Sequence, residues 1–454
     1  MKIHFIALGG SAMHNLAIAL HLKDYSVTGS DDNIFEPSKS RLDKYGLLPE
    51  KLGWFPSKIS SDLDFVILGM HAKADNPELL EAKIKNIKIL SYPEFIYEMS
   101  KDKTRVVIGG SHGKTSITAM ILHVLNSNNK DIDFMVGAQL EGFETMVHLT
   151  DQNDFILLEG DEYLSSPVDR RPKFHLYQPN IALISGISWD HINVFPTKEN
   201  YINQFIKFID TIVQGGVLVY NELDEEVKKI TLNCEKSIRK LEYSVPEHFI
   251  KNGITFLKTD EGEIPLNIFG DHNLNNLAGA KLVCQLMGVH DEEFYSAITS
   301  FKGADKRLET VLNMNDRIVF KDFAHSPSKV LASTNALKKQ FQDRKLIALL
   351  ELHTFSSLNE NFINEYRDTL KSADLAILYY DPKAVLKKGL NELDHQKIKI
   401  AFNDDRLNIF NESYKLKDFL LKQSYSNSNL LFMSSGNYAS IDLGFLINQI
   451  RISE

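Results

Sequence analysis

Short apolar runs recur at 3–8, 65–68, 106–108, 155–158 and 181–184, each closed by glycine or polar residues. Runs of this length, rich in Val, Ile, Leu and Phe, predict strands buried on both faces. Helical spacing fills several of the intervals, as at 116–125. The alternation predicts an α/β protein whose largely parallel sheets are covered by helices. Further runs at 346–350, 375–379 and 430–433 predict a separate sheet towards the C-terminus.

Two breaks divide this pattern. The polar stretch SKDKT at 100–104 precedes a fresh strand–turn–helix signal. Around 300–306 a helix ends, Gly303 and charged residues follow, and a strand pattern starts near Arg317. The breaks predict domains at 1–100, 101–302 and 303–454, and 454 residues suit three domains of ~150 each.

Composition narrows the class. With 43% hydrophobic and 24% charged residues the chain reads as a globular protein, and a net charge of −9 speaks against nucleic acid or an anionic membrane as the main partner. Only Cys234 and Cys284 are present, too few for a disulfide framework or a four-cysteine metal site, and both read as small buried apolar residues. The start, MKIHFIALGG, reads as a strand entering a turn rather than a signal peptide, and no run approaches ~20 apolar residues. The expectation is a soluble, cytoplasmic protein.

The strongest local chemistry lies in RVVIGGSHGKTS at 105–116, where a β-branched strand enters a glycine-rich turn that opens a helix. Glycines let successive N–H groups face a phosphate, and the helix N-terminus adds positive potential. Gly110, Ser111, His112, Gly113, Lys114, Thr115 and Ser116 are therefore candidate ATP contacts, with Lys114 at the β- and γ-phosphates and Thr115 on Mg²⁺. Ile108 stands where the usual phosphate-loop pattern has its first glycine, and a plain turn with a surface lysine is the alternative reading. Two later strand ends carry acids or histidine, Glu159 in LEGDEY and Asp190-His191. Glu159 and His191 could hold a second metal ion, since open α/β sheets place ligands at the C-terminal ends of their strands. The acidic run at 221–226 reads as a helix start.

These motifs, in this order, resemble those of the Mur ligases. GSHGKT at 110–115 is similar to the family loop G-T-H-G-K-T, Glu159 falls on the metal-binding glutamate, and Asp190-His191 falls on its D-H pair. FGDHNLNN at 269–276 resembles G-x-H-N-x-x-N, which implies His272, Asn273 and Asn276 near the adenine. GADKR at 303–307 matches the segment whose arginine, here Arg307, reaches the ATP phosphates. FKDFAHSP at 320–327 resembles D-D-[YF]-[AG]-H-H-P, implying a ribose or Mg²⁺ role for Asp322 and a substrate-side role for His325. Alone, IALGGSAM at 6–13 is a damaged dinucleotide fingerprint, with Ala7 and Ala12 replacing glycines. In the family this position binds the uridine diphosphate of the substrate, so Gly9, Gly10, Ser30, Asp31 and, further along, His71 become candidate contacts.

The resemblance implies a three-domain architecture: a Rossmann-like N-terminal domain, a central P-loop ATPase domain and a C-terminal α/β domain. It implies an ATP- and Mg²⁺-dependent carbon–nitrogen ligase acting on UDP-N-acetylmuramate and an amino acid or peptide amine, with Lys114, Glu159, His191 and Arg307 as the catalytic set. Two branches compete. EGDEYLSSPVDRRPKF at 159–174 closely resembles the branch that adds a preformed tripeptide in peptidoglycan recycling, whereas ELHTFS at 351–356 looks more like the alanine-adding branch, placing His353 near the amine. Lys321, Ser326 and Ser357 depart from the family pattern in the domain that selects the amine. A regulator that binds nucleotide without catalysis, or a P-loop motor ATPase, are the readings of other classes.

Overall fold

The computed structural model describes residues 1–137, 139–140, 142–304, 307–438 and 441–452. The chain folds as two compact units, one from 1–187, 202–244 and 279–291, the other from 188–201, 245–278 and 292–454.

The first unit opens with alternating β1 (Lys2–Ile6), α1 (Ser11–Leu22), β2 (Ser26–Ser30), α2 (Ser38–Lys44), β3 (Phe65–Leu68), α3 (Pro77–Ile84), β4 (Ile89–Ser91) and α4 (Tyr92–Ser100). The four strands form a parallel sheet ordered β2-β1-β3-β4. Ser91 and Glu94 close a capping box on α4, with proline in the first turn, so the end of β4 runs directly into a helix.

β5 (Thr104–Gly109), α5 (Lys114–Ser127), β6 (Asp133–Met135), β7 (Val147–His148), β8 (Phe155–Gly160), β9 (Ile181–Ile184), α6 (Lys198–Thr211), β10 (Val217–Asn221), α7 (Glu225–Leu232) and β11 (Arg239–Tyr243) follow. Their strands form a seven-stranded sheet ordered β11-β10-β9-β5-β8-β6-β7, parallel except for β7. The acidic run does start a helix: Asp224 caps α7, accepting from the Val227 N–H at 3.0 Å. Cys284 is buried as expected, but Cys234 is partly exposed because α7 ends just before it.

Next come β12 (His248–Lys251), β13 (Ile254–Thr259), β14 (Gly262–Leu266), α8 (Asp271–Leu286) and α9 (Asp291–Ile298). The last stretch comprises β15 (Glu309–Asn313), β16 (Arg317–Asp322), α10 (Pro327–Gln340), β17 (Lys345–Leu352), β18 (Leu375–Tyr380), α11 (Pro382–Lys387), α12 (His395–Phe402), β19 (Asn408–Phe410), α13 (Ser413–Leu421), β20 (Ser428–Met433) and α14 (Leu443–Ile452). Strands β12 to β14 make a small antiparallel sheet, and the second unit's main sheet runs β15-β16-β20-β17-β18-β19 with only β15 antiparallel. Ile318, Phe320, Ala348 and Leu350 pack into one core, while Val319, Ile347, Leu349 and Phe432 pack into another. Both faces are therefore buried, which is why these strands read as unbroken apolar runs.

The main sheet begins earlier than the sequence pattern near Arg317 predicts. β15, with the sequence ETVLN, is an edge strand with mostly exposed or part-exposed residues, so it leaves no apolar run to find. Among the described residues no helix is long and apolar enough to cross a membrane.

Candidate active site

β5 lies inside its sheet between β9 and β8, with Ile108 opposite Glu159 and Gly109 opposite both Gly160 and Ile184. The turn after Gly109 thus emerges where three parallel strands end together, the edge at which open α/β sheets bind ligands. Gly110 has φ +137° and Gly113, the N-cap of α5, has φ +79°. The turn is pinned from β9: the Ser111 N–H donates to Gly186 O at 2.9 Å, and the Ser185 hydroxyl donates to His112 O. A Cβ on Gly110 would run into the Ser185 hydroxyl and lie 3.1 Å from its backbone nitrogen. Gly110→Ala is therefore expected to lower stability by about 1–3 kcal/mol and to weaken nucleotide binding at least about tenfold. Urea midpoints and titration with a fluorescent ATP analogue check this; an unchanged affinity would remove the turn from the nucleotide site.

Lys114, at the first position of α5, donates to Gly110 O at 2.5 Å and pairs with Glu162 at 2.7 Å. Burial works to lower its pKa, but the carboxylates of Glu162, Asp161 and Glu159 outweigh this and hold the ammonium above its ordinary value. The Thr115 hydroxyl donates to one Glu159 oxygen at 2.7 Å, and the Gly137 N–H donates to the other at 2.8 Å. Burial, with Asp161 adding to it, raises the Glu159 carboxyl despite these contacts and Lys114. Gly137 carries no signal in the sequence; only the fold brings it to Glu159. Among the described residues no three His, Cys, Asp or Glu side chains converge on a metal site.

The stretch after β8 is a braced loop. The Ser165 N–H and hydroxyl both donate to Arg171 O, at 3.0 and 2.6 Å, and the Ser166 N–H donates to Asp169 O. Arg171 grips Asp169 with two nitrogens, and Lys173 pairs with Asp161 at 3.0 Å. Two acid–base pairs, Asp169 with Arg171 and Asp161 with Lys173, thus brace the loop, with Glu162 turned to Lys114.

In the N-terminal sheet, the Gly9 N–H donates to Asp31 Oδ2 at 2.7 Å and the Asn33 N–H to Oδ1 at 3.3 Å. Burial keeps the Asp31 carboxyl above its ordinary range even so. Gly10 is the N-cap of α1, Ser30 is buried at the end of β2, and His71 stands exposed in the turn after β3. Asn76, five residues on, is a helix cap, accepting from the Glu78 and Leu79 N–H groups. Sequence reasoning missed Lys58, whose ammonium donates to Gly29 O at 3.0 Å and to Ser30 Oγ at 3.2 Å. A single lysine in a polar stretch carries no signal until the sheet places it there.

The second unit gathers the remaining candidates. His191 has φ +54°, uncommon for a residue with a side chain, and its N–H donates to Asp190 Oδ1 at 2.7 Å. The same Asp190 oxygen accepts from the Ser356 hydroxyl at 3.4 Å. His272, Asn273 and Asn276 lie in the first turns of α8, where Asn273 donates to Phe269 O and Asn276 is buried. Burial lowers the His272 pKa, opposed by Asp322 and Asp271, while Asp322 accepts from the Ser333 hydroxyl. Arg307 lies 5.1 Å over the Phe323 ring, against which His325 packs edge-on at 5.2 Å. Burial and Lys329 push the His325 imidazole down to about 4, so it is neutral at pH 7. Asp305 and Lys306 of the arginine motif lie outside the described residues. His353 sits past the end of β17, its Nδ1 4.0 Å from Glu351.

Comparison with known proteins bears on this arrangement. Residues 2–104 match the domain described as Mur ligase family, catalytic domain, and residues 108–284 match the Mur ligase middle domain. A UDP-N-acetylmuramate–L-alanine ligase of Sulfurihydrogenibium sp. (strain YO3AOP1) is 31% identical over 83% of this chain and 82% of its own length. The UDP-N-acetylmuramate–L-alanyl-γ-D-glutamyl-meso-2,6-diaminoheptandioate ligase of Haemophilus influenzae is 27% identical over 97% of both. Among solved structures, the murein peptide ligase Mpl of Psychrobacter arcticus 273-4 aligns over 100% of both chains with a TM-score of 0.65 and 21% identity. The UDP-N-acetylmuramate–alanine ligase MurC of Thermotoga maritima aligns over 100% of both with 0.69 and 18%. At these identities the structural likeness is a statement about fold, and that fold is a three-domain α/β architecture.

Proposed function

This chain belongs to the Mur ligase family, ATP-dependent enzymes that form amide bonds, and on that footing we propose that it joins the carboxylate of UDP-N-acetylmuramate to the amine of L-Ala-γ-D-Glu-meso-diaminopimelate, in the cytoplasm and in peptidoglycan recycling. The observation that carries the tripeptide is the braced loop at 159–174, whose EGDEY and D-x-R-x-K-F elements resemble the tripeptide-adding branch and whose Glu162 is ion-paired to Lys114. The match to the Haemophilus ligase over 97% of the chain supports it. A second reading, in which the amine is L-alanine, is favoured by the 31% identical relative and by the HTFS segment at 353–356.

In the mechanism proposed, Lys114 and Arg307 bind the ATP phosphates while the γ-phosphoryl group passes to the substrate carboxylate, giving an acyl phosphate. The Thr115 hydroxyl and Glu159 carboxylate, 2.7 Å apart, are hard oxygen donors of the kind Mg²⁺ takes alongside phosphates and water. Glu159 and His191 are the proposed protein ligands of a second ion. When bound, Mg²⁺ would offset the negative charge of the phosphoryl oxygens. His272, Asn273, Asn276 and Asp322 are assigned to the nucleoside, and Gly9, Gly10, Ser30, Asp31 and His71 to the uridine diphosphate. His325 and His353 are assigned to the amine side. An amine then attacks the acyl carbon and expels phosphate, with water kept out by closure.

The test is phosphate release from ATP and Mg²⁺ with UDP-N-acetylmuramate, comparing the tripeptide with L-alanine. Release with the tripeptide alone is expected. Release with alanine alone would install the second reading, and silence with both would leave a nucleotide-binding protein without ligase chemistry.

A further inference from the structure

Glu351, next to last in β17, is 1% exposed, and among the described residues no lysine or arginine pairs with it. A buried carboxylate without a cation is costly unless hydrogen bonds and a protonatable neighbour hold it. One of its oxygens accepts from the Ser434 hydroxyl and, at 3.0 Å, from the Tyr438 N–H. The other faces His353 Nδ1 at 4.0 Å. β17 and β20 are parallel neighbours, with Leu350 opposite Met433, so Glu351–His353 and the turn at 434–438 leave the sheet side by side at its C-terminal edge.

The turn is shaped to this pair. A Cβ on Gly436 would come within 2.8 Å of both the Glu351 carboxylate and the His353 ring, so only glycine lets the turn close over them. The Ser435 hydroxyl in the same turn is buried without a hydrogen-bond partner among the described residues. The His353 side chain is 39% exposed, which leaves its outer edge open to a ligand. Three residues on, Ser356 reaches Asp190, so this loop adjoins the segment that carries His191.

We infer that Glu351 and His353 act as a dyad that takes the proton from the incoming ammonium group, with Nε2 as acceptor and Glu351 as the positioning residue whose charge faces Nδ1. The inference rests on the ligase reading above. An amino acid or peptide arrives as R–NH₃⁺, which has no lone pair. Transfer of one proton to Nε2 leaves R–NH₂ and an imidazolium whose charge faces Glu351. The amine lone pair then forms the C–N bond, the C–O bond to phosphate breaks, and the second N–H proton leaves with the phosphate. The other titratable groups around the carboxylate do not compete for the proton. Tyr379 is pushed up to about 12 by burial, Asp381 and Glu351, and Tyr438 is raised by burial, Glu351 and Asp322, so both phenols stay neutral.

Hydroxylamine separates this role from mere folding, because it is already unprotonated at neutral pH and captures an acyl phosphate without a base. In His353→Asn, amide formation with the tripeptide or alanine should fall about 10²- to 10⁴-fold while hydroxamate formation stays within about twofold of the parent. In Glu351→Gln, which keeps the shape but removes the charge facing the imidazole, amide formation should fall about tenfold or more while hydroxamate formation stays within about twofold of the parent. If both variants lose amide and hydroxamate together, or Glu351→Gln leaves amide formation at the parent rate, the dyad is overturned while the ligase reading stands. A parent enzyme that makes no hydroxamate from UDP-N-acetylmuramate and ATP would overturn the ligase reading and the dyad with it.

Discussion

Lys114→Met is expected to cut ATP-dependent phosphate release by about 10²- to 10³-fold, because it removes a preorganised charge from the proposed phosphate site. The same change should cost stability. The Lys114–Glu162 pair is 2.7 Å long, with side chains only 12% and 4% exposed, so the variant leaves a buried carboxylate without its lysine. Breaking such a pair on one side costs on the order of 3 kcal/mol. The double variant Lys114→Met/Glu162→Gln should therefore recover most of the urea midpoint and none of the activity. That dissociation is the informative outcome. If activity returned with stability, Lys114 would be a packing residue and the phosphate role would belong elsewhere. A single variant that kept its rate within tenfold would lead to the same conclusion.

The second large effect is expected at Glu159. Its two oxygens are held by the Thr115 hydroxyl and the Gly137 N–H, and Glu159→Gln keeps the size and one acceptor while removing the charge. Phosphate release at saturating Mg²⁺ should fall on the order of 10²- to 10³-fold, and the Mg²⁺ concentration needed for half the remaining rate should rise. Nucleotide binding in the absence of metal should change by no more than about twofold, since Lys114 and the loop amides are untouched. A variant with an unaltered Mg²⁺ titration would show that Glu159 braces the turn and does nothing to the ion.

Much of this is legible in the sequence. The strand before the phosphate loop and the helix after it were both in the pattern, because β5 is buried on both faces and α5 opens on a Gly-Lys-Thr that tolerates few other structures. Glu159 could be placed at a strand end because the apolar run stops there. The edge strand β15 and the small sheet β12–β14 could not be found, since strands with one face in water break the apolar run that betrays the others. Lys58 and Gly137 were invisible for a different reason, and so was the burial of Glu351 within ELHTFS. Each matters through a partner that is remote in sequence, Ser30, Glu159 and the Ser434–Tyr438 turn respectively.

By itself, then, the sequence determined the α/β class, the glycine-rich turn between β5 and α5 and the family, because these rest on local periodicity and on short motifs whose geometry is set by adjacent residues. Only the tertiary structure decided which carboxylate holds Lys114, what stands against Glu159, and that Glu351 is buried beside His353. Those are outcomes of strand order and register: pairing β17 with β20 brings residue 351 to residue 434, and no pattern along one strand encodes which other strand will lie beside it.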